Sequence, residues 1–505
     1  MFDSTKHAVA RLSLPGLLLG ASLAGAQQPA PPSDAVVLSL RELVTTALKN
    51  NIDLRGAELL PRLAGADLLA ARGGFDPFFS IATQNGNVAN DVLGNTSRVN
   101  QSAISNSATL GTVFPIGSQL LLQVRNSRLS SDPFIVSSTQ PFQTSHGSSL
   151  NLALTQPLLR GLGRAGSYGA VDAATTSVDA SRHRYDRSAD ITIANVERAY
   201  WTLRQAETNE TVARQSVAAS RAIYERNLAL QQRDVATALD VLTSERGLAT
   251  RETQLFDATR QRVDAADRLL FLVYGEDARG TALMQASRMR TSPDSATLPA
   301  IPTENEAVVL AFAQRGDAIA AARDVDAGRL RAEQSRSLRL PRLDLVAQYG
   351  YGGTAQASGF LNYGDTGDLR SSSWSLGLST SLFQHNDAAR AVDERAEATL
   401  DLARMARVAT ENVVRADVRS AIRALETGRD RFMRAADVGR LAEKEYALAL
   451  EGSRLGLVTT FQLLQYEDAL AQARLLGSQA RFALEDAGTQ YRLAIGAGRR
   501  VYERP

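Results

Sequence analysis

LVTTALKNNIDL, at Leu43–Leu54, returns as AVVLAFAQRGDA at Ala307–Ala318, and the chain reads as one design used twice. The offset of 264 pairs Ala47 with Ala311, Asp53 with Asp317 and then Pro77 with Pro341. Further on it settles at 222, pairing Val196 with Val418, Leu203 with Leu425, Tyr224 with Tyr446, Thr237 with Thr459 and Glu245 with Glu467. The first half therefore carries 42 extra residues, the difference between the two offsets, all between Pro77 and Val196. A unit of about 200 residues is too large for a solenoid repeat of roughly 20 to 50. It points to a pseudo-two-fold body, a kind of body that often encloses something between its halves.

The first copy opens with a helical stretch from about Leu40 to Arg72, broken near Asn50-Asn51. After Pro77 the period changes. Leu120, Leu122 and Val124 share one strand face, as do Leu150, Leu152 and Leu154. The second copy alternates more clearly. Leu343, Leu345, Ala347, Tyr349 and Tyr351 oppose Asp344, Val346, Gln348 and Gly350, and Trp374, Leu376, Leu378 and Leu382 oppose Ser375, Gly377, Ser379 and Ser381. An apolar face with terminal aromatics against a small polar one suits a water-soluble sandwich or a membrane-spanning strand with lipid outside and water inside.

Each strand region leads into a long proline-free helical stretch, from about Ala170 to Tyr274 and from Ala388 to Ile495. The second holds a seam at alternating steps of four and three, from Val414 and Val418 through Ala421, Leu425 and Gly428 to Ala449, a coiled-coil period. A helix of about 60 residues spans on the order of 90 Å, longer than most globular domains can use. Each stretch is interrupted once, at Arg233–Thr237 and at Leu455–Thr459, where Thr237 and Thr459 suit helix N-caps and Gly456 suits a turn. Each half is thus expected to be a long antiparallel helical hairpin hung from strands.

Composition sets limits on function. With 56 basic and 54 acidic residues, net charge +2, nothing global favours nucleic acid. Residues 1–26 read as a secretory signal: Lys6, His7 and Arg11 precede an apolar stretch from Leu12 to Leu23, and Ala24-Gly25-Ala26 precedes Gln27. No later apolar run reaches 18 residues, so any membrane crossing falls to a closed β-barrel. The chain has no cysteine, which excludes disulfides, thiolate metal sites and cysteine nucleophiles. Its four histidines are scattered, so no metal site or cofactor is expected. Gly161, Gly163 and Gly166 form a literal GxGxxG between strand and helix, but Pro157 interrupts the approach and no βαβ unit follows, so the reading is a flexible turn. Catalysis has no candidate constellation.

The opening at Leu40–Leu59, the strand exit TQPLLRG at Thr155–Gly161, and the hairpin tips DVATALDVLTSE (Asp234–Glu245) and GLVTTFQLLQYEDAL (Gly456–Leu470) together resemble TolC-like outer-membrane efflux proteins. Each occurs in order, and the pattern covers essentially the whole mature chain. The resemblance implies a membrane α+β fold: a homotrimeric outer-membrane β-barrel, continued by a long periplasmic α-helical barrel, built from an internally duplicated protomer. It implies no enzyme. It implies a passive exit duct of a tripartite efflux system in a Gram-negative bacterium, embedded in outer-membrane lipid, reaching into the periplasm, and served by a periplasmic adaptor and an inner-membrane pump or ABC transporter. A type I protein secretion duct is the alternative within that class, and an exported coiled-coil scaffold the alternative outside it.

The resulting layout is a signal at 1–26 and a first repeat at 27–275, with strands about 77–157 and a hairpin about 170–274. A linker at 276–303 leads to a second repeat at 304–497, with strands about 341–383 and a hairpin about 388–495, and then a tail at 498–505. The resemblance places Asp240, Gln462 and Gln465 at the periplasmic aperture, and Asp234, Val235, Thr237, Gly456, Leu457 and Thr459 at the adaptor-contacting tips. Asp234 stands where the family usually has glycine, and Gln27 where many relatives carry a lipid-bearing cysteine. Gln462 and Gln465 replace the paired acids of cation-selective members, which predicts weak cation selectivity. The surplus around Asn85–His146 is either an extended surface hairpin or an added strand pair, and Ala108–Gly111 and Leu120–Val124 flanking Pro115-Ile116-Gly117 favour a β-hairpin. Four strands per protomer make a 12-stranded trimer and six make 18, and the reading favours 12.

Overall fold

The computed structural model describes residues 36–91, 98–131, 143–275, 289–292, 303–356, 371–382 and 385–503. The expected signal at 1–26, most of the linker at 276–303 and the end of the tail lie outside the described residues.

A short strand β1 (Val36–Leu38) precedes helices α1 (Leu40–Asn50) and α2 (Ile52–Gly73). The break between them belongs to Asn51, whose extended backbone ends α1 while its side-chain oxygen accepts from the Leu54 amide at 3.0 Å and caps α2. Its amide group donates to the Leu272 carbonyl at 3.0 Å, fixing the corner to a distant helix. The repeat places Arg315 at the same corner, where it separates α5 (Glu304–Gln314) from α6 (Gly316–Arg339).

The strands of the first half are β2 (Phe78–Asp91), β3 (Arg98–Val113), β4 (Gln119–Ser131) and β5 (Gln143–Pro157). Those of the second are β7 (Arg342–Gln356) and β8 (Ser371–Ser381). All six form one antiparallel sheet in the order β2-β3-β4-β5-β7-β8. This corrects the expectation of four strands. The surplus is a complete hairpin, β3–β4, paired over its whole length on both sides and inserted between the two strands that match β7 and β8. A separate strand β6 (Met289–Thr291) pairs in parallel with β1.

Below the sheet run α3 (Gly163–Gln231) and α7 (Asp387–Arg454), of 69 and 68 residues, each about 100 Å long. Shorter helices complete the wall. α4 (Ala238–Tyr274) returns along α3 and α8 (Thr460–Ala494) along α7, while α2 and α6 pack beside the upper parts of the long helices. The layer is four helices wide at both levels: α2, α3, α6 and α7 near the sheet, and α4, α3, α8 and α7 below. A last short helix, α9 (Gly498–Glu503), closes against α3.

Two cores repeat one pattern. Ala47, Val196 and Leu203 are buried with Tyr200, Leu269 and Leu270 in the first. Their repeat partners Ala311, Val418 and Leu425 are buried with Leu484 and Tyr491 in the second. Of the predicted α7 seam, Val414, Val418, Ala421, Leu425, Gly428 and Ala449 are buried.

Candidate functional site: a two-faced sheet and paired hairpin tips

Residues directly opposite one another in paired strands share a face, so the register resolves the sheet into two surfaces. One row runs Phe79, Leu110, Leu122, Leu152, Tyr349, Trp374 across all six strands. The next runs Ile81, Ala108, Val124, Leu150, Tyr351 and Ser372. On the opposite face one row is Ser80, Thr109, Gln123, Asn151, Gly350, Ser373. The apolar face is uncovered in the protomer, with Trp374 78 % exposed and Ile81 71 %. A water-soluble sandwich would bury that face against a second layer, and among the described residues no second layer covers it. Among the described residues no helix is long and apolar enough to cross a membrane.

The inserted hairpin is anchored where sheet meets helix. Its turn, Phe114–Ser118, closes with the Phe114 amide donating to the Ser118 carbonyl and the Gly117 amide to the Phe114 carbonyl, both at 2.8 Å. Gly117 has φ 91°, and a Cβ there would stand 2.5 Å from the Gly161 carbonyl oxygen, so only glycine permits this approach. The Gly163 amide in turn donates to the Ile116 carbonyl at 3.2 Å. The GxGxxG segment is thus the seat of the β3–β4 turn.

At the far end the two hairpins turn by the same device. In the first tip the Val235 amide donates to the Leu230 carbonyl and the Asp234 amide to that of Gln231, both at 3.0 Å. In the second the Leu457 amide donates to the Gly452 carbonyl at 2.8 Å and the Gly456 amide to that of Ser453 at 3.3 Å. These are the paired bonds of a Schellman turn, which needs a left-handed residue at its corner. Asp234 (φ 56°) and Gly456 (φ 75°) supply it.

The returning helices start with capping boxes. Thr237 donates from its amide (3.1 Å) and its hydroxyl (2.6 Å) to the Asp240 carboxylate, and the Asp240 amide donates back to the hydroxyl at 3.2 Å. Thr459 and Gln462 repeat this at 3.0, 3.1 and 3.3 Å. The Thr237 hydroxyl, then the Thr237 amide and the Thr460 hydroxyl, hold the Asp240 carboxyl below the usual carboxylate range, with partial burial opposing them. Asn227 joins the tips, its amide donating to the Thr460 hydroxyl at 3.3 Å.

The structure therefore gathers all the sequence-predicted tip residues at one end of the molecule. It ties the Asp240 and Gln462 side chains into their own capping boxes and leaves the Gln465 side chain exposed. Val235 is 71 % exposed and Leu457 78 %, an apolar crown with Leu239 and Phe461.

Sequence reasoning missed a polar cluster behind the tips. Glu467, only 3 % exposed, accepts from the Ser216 hydroxyl and from Arg251 at 3.1 Å, and Arg251 also reaches Asp468 at 2.7 Å. This ties α3, α4 and α8 together. The signal was a carboxylate on the α8 seam between buried Leu463 and Leu470. Among the described residues no group of three His, Asp or Glu side chains could hold a metal ion.

No protein-family model matches the chain, and no curated protein matches it. Solved structures do. The outer-membrane channel OprN superposes with a TM-score of 0.67 at 19 % identity, over 91 % of this chain and 90 % of that one. The Campylobacter jejuni CmeC outer membrane channel gives 0.65 at 16 %, over 97 % and 94 %. The outer membrane protein VceC of Vibrio cholerae gives 0.65 at 15 %, over 90 % and 96 %. Since these superpositions cover nine-tenths or more of both chains, the fold of this chain is that of the TolC-like outer-membrane efflux channels.

Proposed function

We propose that the chain is the outer-membrane exit duct of a tripartite efflux system: a homotrimer that conducts substrates passively from an inner-membrane pump and a periplasmic adaptor to the exterior. The observation that carries this reading is the unbroken apolar row from Phe79 to Trp374, backed by a row of small polar residues. Lipid suits the first surface and a water-filled lumen the second.

The duplication supports assembly. Within the protomer α8 rests on α3, burying Ser216 against Glu467. Shifted by one repeat, the same contact falls on Val438 of α7 and Glu245 of α4, which lie on opposite edges of the four-helix layer and are exposed. A second copy supplies the missing half, and repetition around an axis closes a tube. The apolar crown at Val235 and Leu457 suits the adaptor, and Asp240, Gln462 and Gln465 suit the aperture.

The test is electron microscopy of the protein extracted from outer membranes in mild detergent, with mass determined on the same sample. A three-fold tube with a helical extension of about 100 Å is expected, together with increased sensitivity to toxic compounds when the gene is deleted. A compact, water-soluble monomer overturns the reading.

A further inference from the structure

We infer that the inserted β3–β4 hairpin is part of the membrane wall, so that three copies close an 18-stranded barrel as wide as the helical tube beneath it. The inference rests on the trimeric reading above and goes beyond it.

Continuity of faces is the first argument. The hairpin contributes Leu110, Leu122 and Val124 to the apolar surface and Thr109 and Gln123 to the polar one, in register with the strands on either side. A hairpin folded away into water would have no use for that division. Its turn is held at the level of the strand exits by the Gly117–Gly161 seat, so it starts where the other strands start.

Closure is the second. The sheet's free edges are β2 and β8. With six strands, all antiparallel in sequence, β2 of one copy and β8 of the next also run antiparallel. The ring closes without a mismatched seam, and closure removes the exposed edges that a membrane cannot tolerate.

Width is the third. Strands about 4.8 Å apart and tilted about 40° occupy ~38 Å of arc when there are six and ~25 Å when there are four. Four helices packed at about 8–10 Å occupy ~32–40 Å. Six strands therefore sit on the four-helix layer of each copy without a change of radius, whereas four would force a narrower mouth or a steeper tilt. The exit is then no tighter than the tube that feeds it, and size selection falls to the tips.

Two measurements on the full chain test this. In a three-fold averaged cryo-electron-microscopy map, 18 strands in the barrel cross-section are expected. A 12-stranded ring with β3–β4 displaced overturns the inference while leaving the duct reading standing, and a particle without a three-fold tube removes both. Because the chain has no cysteine, single substitutions can report on each face in lipid vesicles. A polarity-sensitive dye on Val124→Cys should report an apolar setting and be quenched by lipid-borne quenchers, while one on Gln123→Cys should stay wet and react with water-soluble reagents. Both positions wet would overturn the inference.

Discussion

Asp234 and Gly456 hold the same corner of the same turn, yet only glycine takes a left-handed conformation freely. An alanine there costs about 1–2 kcal/mol. Gly456→Ala should therefore speed amide exchange across the second tip by ~5-fold or more, whereas Asp234→Gly should leave the first within about 0.5 kcal/mol of its original protection. The capping boxes differ in another way, since only the first titrates. The carboxyl of Asp240 has a folded pKa below its unfolded value, so its contribution is fully present above the unfolded pKa and lost as pH falls through the folded one. Hydrogen exchange, corrected for intrinsic rate, should show the first tip loosening relative to the second as pH drops from about 5 to 3. In Asp240→Asn that difference should vanish.

Among elements, the sheet and the polar cluster make opposite demands. Leu122→Lys places a charge on the apolar face and should cost about 2–4 kcal/mol in urea titrations of vesicle-folded protein. Gln123→Lys, one residue along on the polar face, should cost less than about 0.5 kcal/mol. Glu467→Ala leaves the buried Arg251 with Asp468 and Gln254 but without its buried counter-charge, and about 3 kcal/mol of α8 protection should be lost to amide exchange. These elements were not equally legible. β7 and β8 announce themselves because each alternates over most of its length. The apolar band thins towards β2 and β3: beyond Phe79 and Ile81 the same face continues as Thr83, Asn85 and Asn87, and beyond Leu110 and Ala108 as Asn106, Ile104 and Ser102, an alternation too broken to read. That is why the hairpin was legible around Ala108–Val124 while its place inside the sheet was not. The helical wall was plainer, since small residues every three or four positions have no other use. The Glu467 cluster stayed hidden because a carboxylate on a long helix ordinarily faces water, whereas the spacings from Thr237 to Asp240 and from Thr459 to Gln462 already carry the capping-box pattern.

At the scale of the whole molecule, the exposed repeats of a buried contact predict that the isolated protomer is not the working unit. Its conductance should be weakly cation-selective by reversal potential in a planar bilayer, because Gln465 is uncharged and Gln462 is occupied by Thr459. Gln465→Glu should raise the preference for cations, since its side chain is exposed and, in the proposed trimer, adds a threefold ring of charge. The six-stranded sheet carries a different kind of consequence, for descent. One extra strand per chain would deliver the following helix to the wrong side of the bilayer and set parallel neighbours at every seam, so only whole hairpins can be gained or lost. Each such event changes the ring by six strands and ~38 Å of girth at once. Under the proposed trimeric barrel, such ducts would change gauge in notches, and the 42-residue insertion would be one notch.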